Sequence, residues 1–326
     1  MAVWPFSSQV SFNQGNQQVR GRFAPSPSGP LHFGSLVAAV GSYLHAKANN
    51  GLWFVRIEDI DTSRVDASAQ GQILDALDAF GLHWDVDLQT QSQLQNGDRN
   101  CLKQTARISR YQEVLDFLES KQLVYGCACT RKEIKASGGL YQGTCRDKYL
   151  DLHNNPIRLK QTRPIYQFSD GIFGPQSCDP LMAQEDYIIK RRDGLFSYQL
   201  AVVVDDIDQG ITHVVRGADI MPLTARQLSL YQTLEVDPPE FLHLPLAVTE
   251  PGHKLSKQNH APAINSSNPQ PELLKALSFL GYAQPGVSNK SLNLDSLAKA
   301  SPQTILEWAL EHWSQTKINQ QTEIII

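Results

Sequence analysis

Past the first nineteen residues the apolar positions fall into a regular order. Residues 1–19 are rich in Ser, Gln and Asn, lack a sustained apolar period, and predict a mobile tail ahead of the first strand. From Gly21 the chain reads as a short strand ending in a Pro/Ser/Gly loop, Ala24 to Pro30, after which Leu31, Leu36, Val37 and Val40 mark an amphipathic helix. A second strand, Leu52 to Ile57, follows the turn Asn49-Asn50-Gly51 and delivers Glu58, Asp59 and Asp61 at its C-terminal end, the edge where open parallel sheets bind ligands. Ile73, Leu74, Leu77 and Phe80 then recur at helical spacing and stop at Gly81, as a crossover helix does. This strand-helix-strand-helix opening predicts an α/β fold, and the strand running through a phosphate-sized loop into a helix predicts a nucleotide site.

The pattern loosens between Gln89 and Arg192, with a helix around Tyr111 to Leu123, a cysteine cluster and short mixed segments. Residues 101–195 are therefore expected to be an insertion that splits a core of residues 20–100 and 196–257. The second half predicts a buried strand at Tyr198 to Val204 ending in Asp205-Asp206, then an apolar stretch at Ile211 to Val215 and a helix from Leu223 to Leu234. Residues 258–326 predict a short helical region, with stretches at Leu273 to Leu280 and Ile305 to Trp313.

Composition narrows the compartment and the partners. With 41% hydrophobic residues the chain is ordinary for a globular protein, and it has neither a run of about 18 apolar residues nor a charged start followed by an apolar stretch. A cytoplasmic monomer with no membrane partner is the expectation. A net charge of −4 gives no global basic signature, so nucleic acid would need a local patch; Arg131, Lys132, Lys190, Arg191 and Arg192 offer one, against the ordinary reading of solvated surface. Five cysteines, an odd number, argue against a disulfide framework and leave metal ligation or burial.

The chemistry concentrates in two segments. In Arg22-Phe23-Ala24-Pro25-Ser26-Pro27-Ser28-Gly29-Pro30-Leu31-His32-Phe33-Gly34-Ser35, His32 can donate to a phosphate, Gly34 lets it approach the backbone, and the helix start favours negative charge. An isolated His-x-Gly is most often chance; its weight comes from Lys254-Leu255-Ser256-Lys257-Gln258, which arrives after the second half of the core. Together they resemble the H-x-G-[HN] and K-M-S-K-S signatures of class I glutamyl-tRNA synthetases. Ser35 stands where His or Asn is common, and Gln258 where Ser is.

That resemblance implies a Rossmann-type parallel-sheet core. It implies ATP at Pro25, His32, Gly34, Ser35 and Lys257, with His32, Lys254 and Lys257 stabilising charge as pyrophosphate leaves. It also implies glutamate at Arg22, Ala24, Ser26, Glu58, Tyr198 and Arg216, with Arg22 facing the substrate carboxylate and Glu58 the α-ammonium. A core aromatic remains the ordinary role for Tyr198. Ala24-Pro25-Ser26-Pro27 looks like the glutamyl branch, whereas glutaminyl relatives tend to carry Pro-Pro-Glu-Pro, and a site built to bury a carboxylate leaves a charge unpaired with glutamine.

A third cluster is Cys127-x-Cys129 followed by Cys145, one short of a tetrahedral zinc shell, with buried free thiols as the alternative. On physical grounds the fourth position is open to Tyr141, His153 or water. The chain length, the glutamyl signatures and the C-x-C…Y-x3-C pattern together resemble the glutamyl-queuosine tRNA(Asp) synthetase family, which is similar to a truncated glutamyl-tRNA synthetase. This resemblance implies Tyr141 as the fourth ligand of one structural Zn2+ and no anticodon-binding domain in residues 258–326. It further implies transfer of glutamate, activated with magnesium-ATP, to the queuosine diol at the wobble position of tRNA(Asp). No protein general base stands out for the transfer. The competing expectations are charging of a terminal ribose, a catalytically silent paralogue that binds glutamate, ATP or RNA, and a nucleotidyltransferase making a small adenylylated product.

Overall fold

The computed structural model describes residues 5–6, 18–94, 99–254, 261–282 and 297–326, without the side chain of Lys254. Its first unit is β1 (Arg20–Phe23), α1 (Phe33–Ala48), β2 (Leu52–Ile57), α2 (Ala69–Ala79) and β3 (Leu102–Lys103). β1 pairs parallel with β2, and β2 with β3. Trp53 to Ile57 are all buried, as a parallel strand covered on both faces must be, and this is why β2 reads as an unbroken run rather than an alternation. Gly81, at φ +73°, ends the helical stretch as its position after Phe80 predicts.

Of the segment 101–195 expected to be an insertion, β3 thus pairs within the core sheet, and the remainder follows as α3 (Ile108–Ser120), β4 (Val124–Gly126), α4 (Arg131–Ala136), β5 (Ile157–Leu159), β6 (Gln167–Asp170), β7 (Gly174–Ser177), α5 (Pro180–Gln184) and β8 (Ile188–Lys190). β4, β5 and β8 form an antiparallel sheet, and β6 and β7 a separate hairpin. The chain re-enters the core through α6 (Tyr198–Asp208), β9 (His213–Gly217), α7 (Thr224–Thr233) and β10 (Glu240–Leu244). β9 and β10 are parallel, and Thr212 N donates to Arg20 O at 2.9 Å, which docks β9 beside β1. The order is thus β3-β2-β1-β9-β10, and it reverses direction between β1 and β9, the switch point where such sheets open a crevice. α1 lies tightly over this seam: a Cβ at Gly41 would come within 2.7 Å of Leu244 Cδ1.

One expected element is wrong in kind. The strand expected at Tyr198 to Val204 is the first two turns of α6, capped by Ser197 Oγ, which accepts from Leu200 N. Leu200 to Ile207 are buried on every side, between α3, α7 and the faces of β2 and β9. A helix apolar all round shows no 3.6-residue period, and three successive valines bias the reading toward a strand.

β11 (Leu246–Glu250) and β12 (His253–Lys254) pair antiparallel; α8 (Pro269–Leu277) and α9 (Pro302–Glu311) then pack in one core with α1 and α2. The region expected to be helical also ends in a strand, β13 (Glu323–Ile325), parallel to β11. In the N-terminal stretch expected to trail free, Phe6 is buried beneath the Arg110 guanidinium, which also bonds Pro5 O. Among the described residues no helix is long and apolar enough to cross a membrane.

Candidate active site

Two cavities open at the C-terminal edge of the parallel strands. One, about 200 Å³, is walled by His32, Gly34 and Ser35 at the start of α1, by Gly217 and Asp219 after β9, and by Leu244 to Ala247. The other, about 630 Å³, is lined by Ser26, Glu58, Asp61, Arg64, Arg191 and Tyr198 among others. Of the residues expected to hold ATP, His32, Gly34 and Ser35 line the smaller cavity; of those expected to hold glutamate, Ser26, Glu58 and Tyr198 line the larger. Ala24 and Pro25 lie in the loop that leaves β1, tied to the end of β2 by Glu58 N donating to Pro25 O at 3.0 Å. Arg22 and Arg216 sit beneath, on β1 and β9, 3% and 6% exposed, so their charges act from inside the switch point rather than from its rim.

His32 caps α1. Ser35 N donates to His32 Nδ1 at 3.3 Å, which leaves the ring proton on Nε2 facing Ser35 Oγ at 3.0 Å. Ser35, at the position where the signature commonly has His or Asn, thus orients the histidine ring. The Lys254 side chain, Lys257 and Gln258 lie outside the described residues. On either side of them, the Lys254 backbone pairs with Val248, and Ala263 bridges to His32 with Ile264 N donating to Leu31 O at 3.0 Å. The segment's flanks are therefore anchored beside the smaller cavity.

Under the larger cavity lies a buried network of opposed charges that was not expected. Arg56 Nη2 stands 2.8 Å from Asp206 Oδ1 and 3.4 Å from Glu58 Oε1, and its Nη1 donates to Gln209 Oε1 at 2.8 Å. Arg22 Nε donates to Asp206 Oδ1 at 3.1 Å, while Asp205 takes Arg107 Nε at 2.6 Å, Gln104 Nε2 at 2.9 Å and the Tyr111 hydroxyl at 2.9 Å. Acidic residues near the end of α6 are set against the helix dipole, and arginines from β1, β2 and the start of α3 compensate them. Burial works against the Asp206 carboxylate, yet Arg22 and Arg56 outweigh it and hold its pKa below the usual value. Glu58 goes the other way: burial, partly offset by Arg56 and Arg22, pushes it up to about 7. Burial also raises the Tyr198 phenol, at the first turn of α6. An arginine inside an apolar strand and paired aspartates closing an apolar run were the available signals for Arg56 and Asp206.

Arg216 is held by another unexpected set. Its Nε donates to His243 Nε2 at 3.0 Å and its Nη2 to Thr224 Oγ1 at 2.9 Å, while Nη1 is buried with no partner among the described residues. Burial lowers its pKa, the mark of a cation short of an anion.

In the insertion, Cys127 and Cys129 leave β4 in the loop before α4, and Cys145 follows the turn at Gly143, φ +73°. Their sulfurs lie within 4.8 Å of one another, Cys129 and Cys145 being 3.5 Å apart. Burial and the bond with Cys145 push the Cys129 thiol up to about 12, whereas at Cys145 burial is outweighed by bonds from the Ala128 backbone and Cys129 and the thiol lies below its ordinary value, a set that a bound cation would stabilise as thiolates. The Tyr141 hydroxyl accepts from Cys145 N at 2.7 Å and belongs to the same buried cluster, whereas His153 is exposed and outside it.

Residues 18–290 match the family described as tRNA synthetases class I (E and Q), catalytic domain. A Vibrio parahaemolyticus protein named glutamyl-Q tRNA(Asp) synthetase is 50% identical over 304 residues, covering 93% of this chain and 95% of that protein. One of the same name from Klebsiella pneumoniae is 50% identical over 298 residues, 91% and 94% of the two chains. Among solved structures the chain is similar to a glutamate tRNA ligase from Elizabethkingia meningosepticum, in complex with its amino acid, with TM-score 0.74 and 25% identity over 94% of this chain. It spans 66% of the length of that ligase.

Proposed function

The chain belongs to the class I tRNA synthetases (E and Q), and from that premise we propose that it joins glutamate to ATP and passes the glutamyl group to the queuosine of tRNA(Asp). The observation that carries the acceptor is the 50% identity, over 95% and 94% of their lengths, to two relatives named for that reaction. Support for glutamate comes from two buried arginines at the switch point, Arg22 and Arg216, for the side-chain carboxylate, and from Glu58 on the wall of the larger cavity for the α-ammonium. Ser26 and Tyr198 line the same cavity, and Ala24 stands in the loop that leaves β1.

The glutamate α-carboxylate attacks the α-phosphate of magnesium-ATP, forming a mixed anhydride as pyrophosphate leaves. His32 turns its Nε2 proton to a phosphate oxygen, Gly34 and Ser35 admit the phosphate to the α1 N-terminus, Pro25 shapes the approach, and Lys254 and Lys257 neutralise the leaving charge. A hydroxyl of the queuosine diol then attacks the glutamyl carbonyl, and AMP departs. The larger cavity, open beside Glu58 and Tyr198, leaves room for an unstacked base.

Cys127, Cys129 and Cys145 would hold a zinc ion with Tyr141 as fourth ligand, and four protein ligands would make that metal structural. The test of function is transfer of labelled glutamate, with ATP, to tRNA(Asp) from queuosine-competent and queuosine-deficient cells. Labelling of the queuosine-bearing tRNA alone is expected; equal labelling of both, or labelling of tRNA(Glu) alone, returns the protein to charging a terminal ribose.

A further inference from the structure

We propose that Asp170 and His243 are positioning residues for glutamate, holding the Arg216 guanidinium so that its one uncommitted nitrogen meets the substrate carboxylate. The inference rests on the reading of the crevice as a glutamate site.

His243 on β10 is the register partner of Arg216 on β9. Because His243 Nε2 accepts from Arg216 Nε, the imidazole is neutral with its proton on Nδ1, and that proton is donated to Asp170 Oδ2 at 2.6 Å. Asp170 is in turn immobilised by the backbone N–H groups of Ile172 at 3.0 Å and Phe173 at 2.9 Å. It stands at the end of β6, in the insertion, where Gly171 N donates to Phe241 O at 2.8 Å and a Cβ at Gly171 would strike Leu242 at 2.8 Å. Phe241 lies under the Arg216 guanidinium, 4.9 Å from ring centroid to Cζ. A hairpin remote in sequence thus reaches back to set the angle of a pocket arginine.

A purely structural buried arginine would take the aspartate directly and cancel its charge. Here a neutral ring is interposed instead. Asp170, His243 and Thr224 are at most 3% exposed, so no bulk water competes for these bonds, and the Arg216 Nη1, buried itself, is left without a partner among the described residues. Arg22, Asp206, Tyr198 and Tyr231 complete the charged and titratable surroundings of Arg216.

The test compares binding of L-glutamate by calorimetry, and the KM values for glutamate and ATP in pyrophosphate exchange, in the full-length protein. His243→Phe removes the acceptor while keeping a ring and is expected to weaken glutamate binding by about tenfold or more, with the ATP KM within about twofold. His243→Gln, whose amide oxygen can accept from Arg216, is expected to recover most of the loss. Asp170→Asn, which keeps an oxygen for His243 and provides a second measure should His243→Phe unfold, is expected to weaken glutamate selectively by a smaller factor. Glutamate binding within twofold of wild type in His243→Phe and Asp170→Asn, or equal losses for glutamate and ATP, overturns the inference. Failure of the wild-type protein to bind glutamate overturns the reading of the crevice itself.

Discussion

Arg22 Nε donates to Asp206 Oδ1 at 3.1 Å, so the arginine expected to face a substrate carboxylate already faces a protein one. The same Asp206 oxygen lies 2.8 Å from Arg56 Nη2, and two arginines therefore share one aspartate. This arrangement fixes the Arg22 fork, a geometry that depends on a planar guanidinium. Arg22→Lys is accordingly expected to raise the glutamate KM about tenfold or more with little change in the ATP KM, measured by pyrophosphate exchange.

Glu58, with its pKa at about 7, supplies a pH signature. An ammonium ligand needs the carboxylate, so glutamate affinity is expected to rise by up to about tenfold per pH unit between 6 and 7, level off above 8, and lose this dependence in Glu58→Gln. Stability has the opposite sign. A carboxyl whose folded pKa is raised contributes stability present below its ordinary value of 4.5, and that contribution is lost as pH rises through 7. The melting temperature of wild type is thus expected to fall relative to Glu58→Gln between pH 5 and 8.

His45 on α1 gives a second, reversed pH effect. Both ring nitrogens are buried without a partner among the described residues, the ring centroid lies 5.1 Å from that of His213, and burial followed by the charge of His213 lowers the pKa to about 4. The folded chain binds that proton less readily than the unfolded one, so stability is present above 6.5 and lost as pH falls toward 4, by up to about 3 kcal/mol. Denaturant titrations at pH 7 and 4.5 are expected to show this loss in wild type and a smaller one in His45→Phe.

The cysteine cluster is tested by metal content. One zinc per chain is expected in the purified protein, and its removal by a chelator, or Cys145→Ser, is expected to lower the melting temperature. Tyr141→Phe is expected to keep the fold and release zinc to a competing chelator at lower chelator concentration. Unchanged release would leave the fourth position to water.

Much of the plan was legible from the chain alone. β1, α1, β2 and α2 lie where their apolar periods predict, His32 caps the helix it was expected to open, and Cys127, Cys129 and Cys145 converge. Each of these depends on residues near one another in sequence, where periodicity, caps and turns act. α6 was misread because burial on all sides erases the period that distinguishes helix from strand.

The sequence by itself determined the family signatures, the opening order of the core and the candidate side chains proposed for glutamate, ATP and zinc. Only the tertiary structure decided how those side chains are charged and aimed. Arg56 meets Asp206 across the sheet–α6 interface, and Asp170 reaches His243 from an inserted hairpin, pairings between residues 150 and 73 positions apart. No local pattern encodes such partners. They are selected because a charge taken out of water must find its counter-charge wherever the packed chain places one.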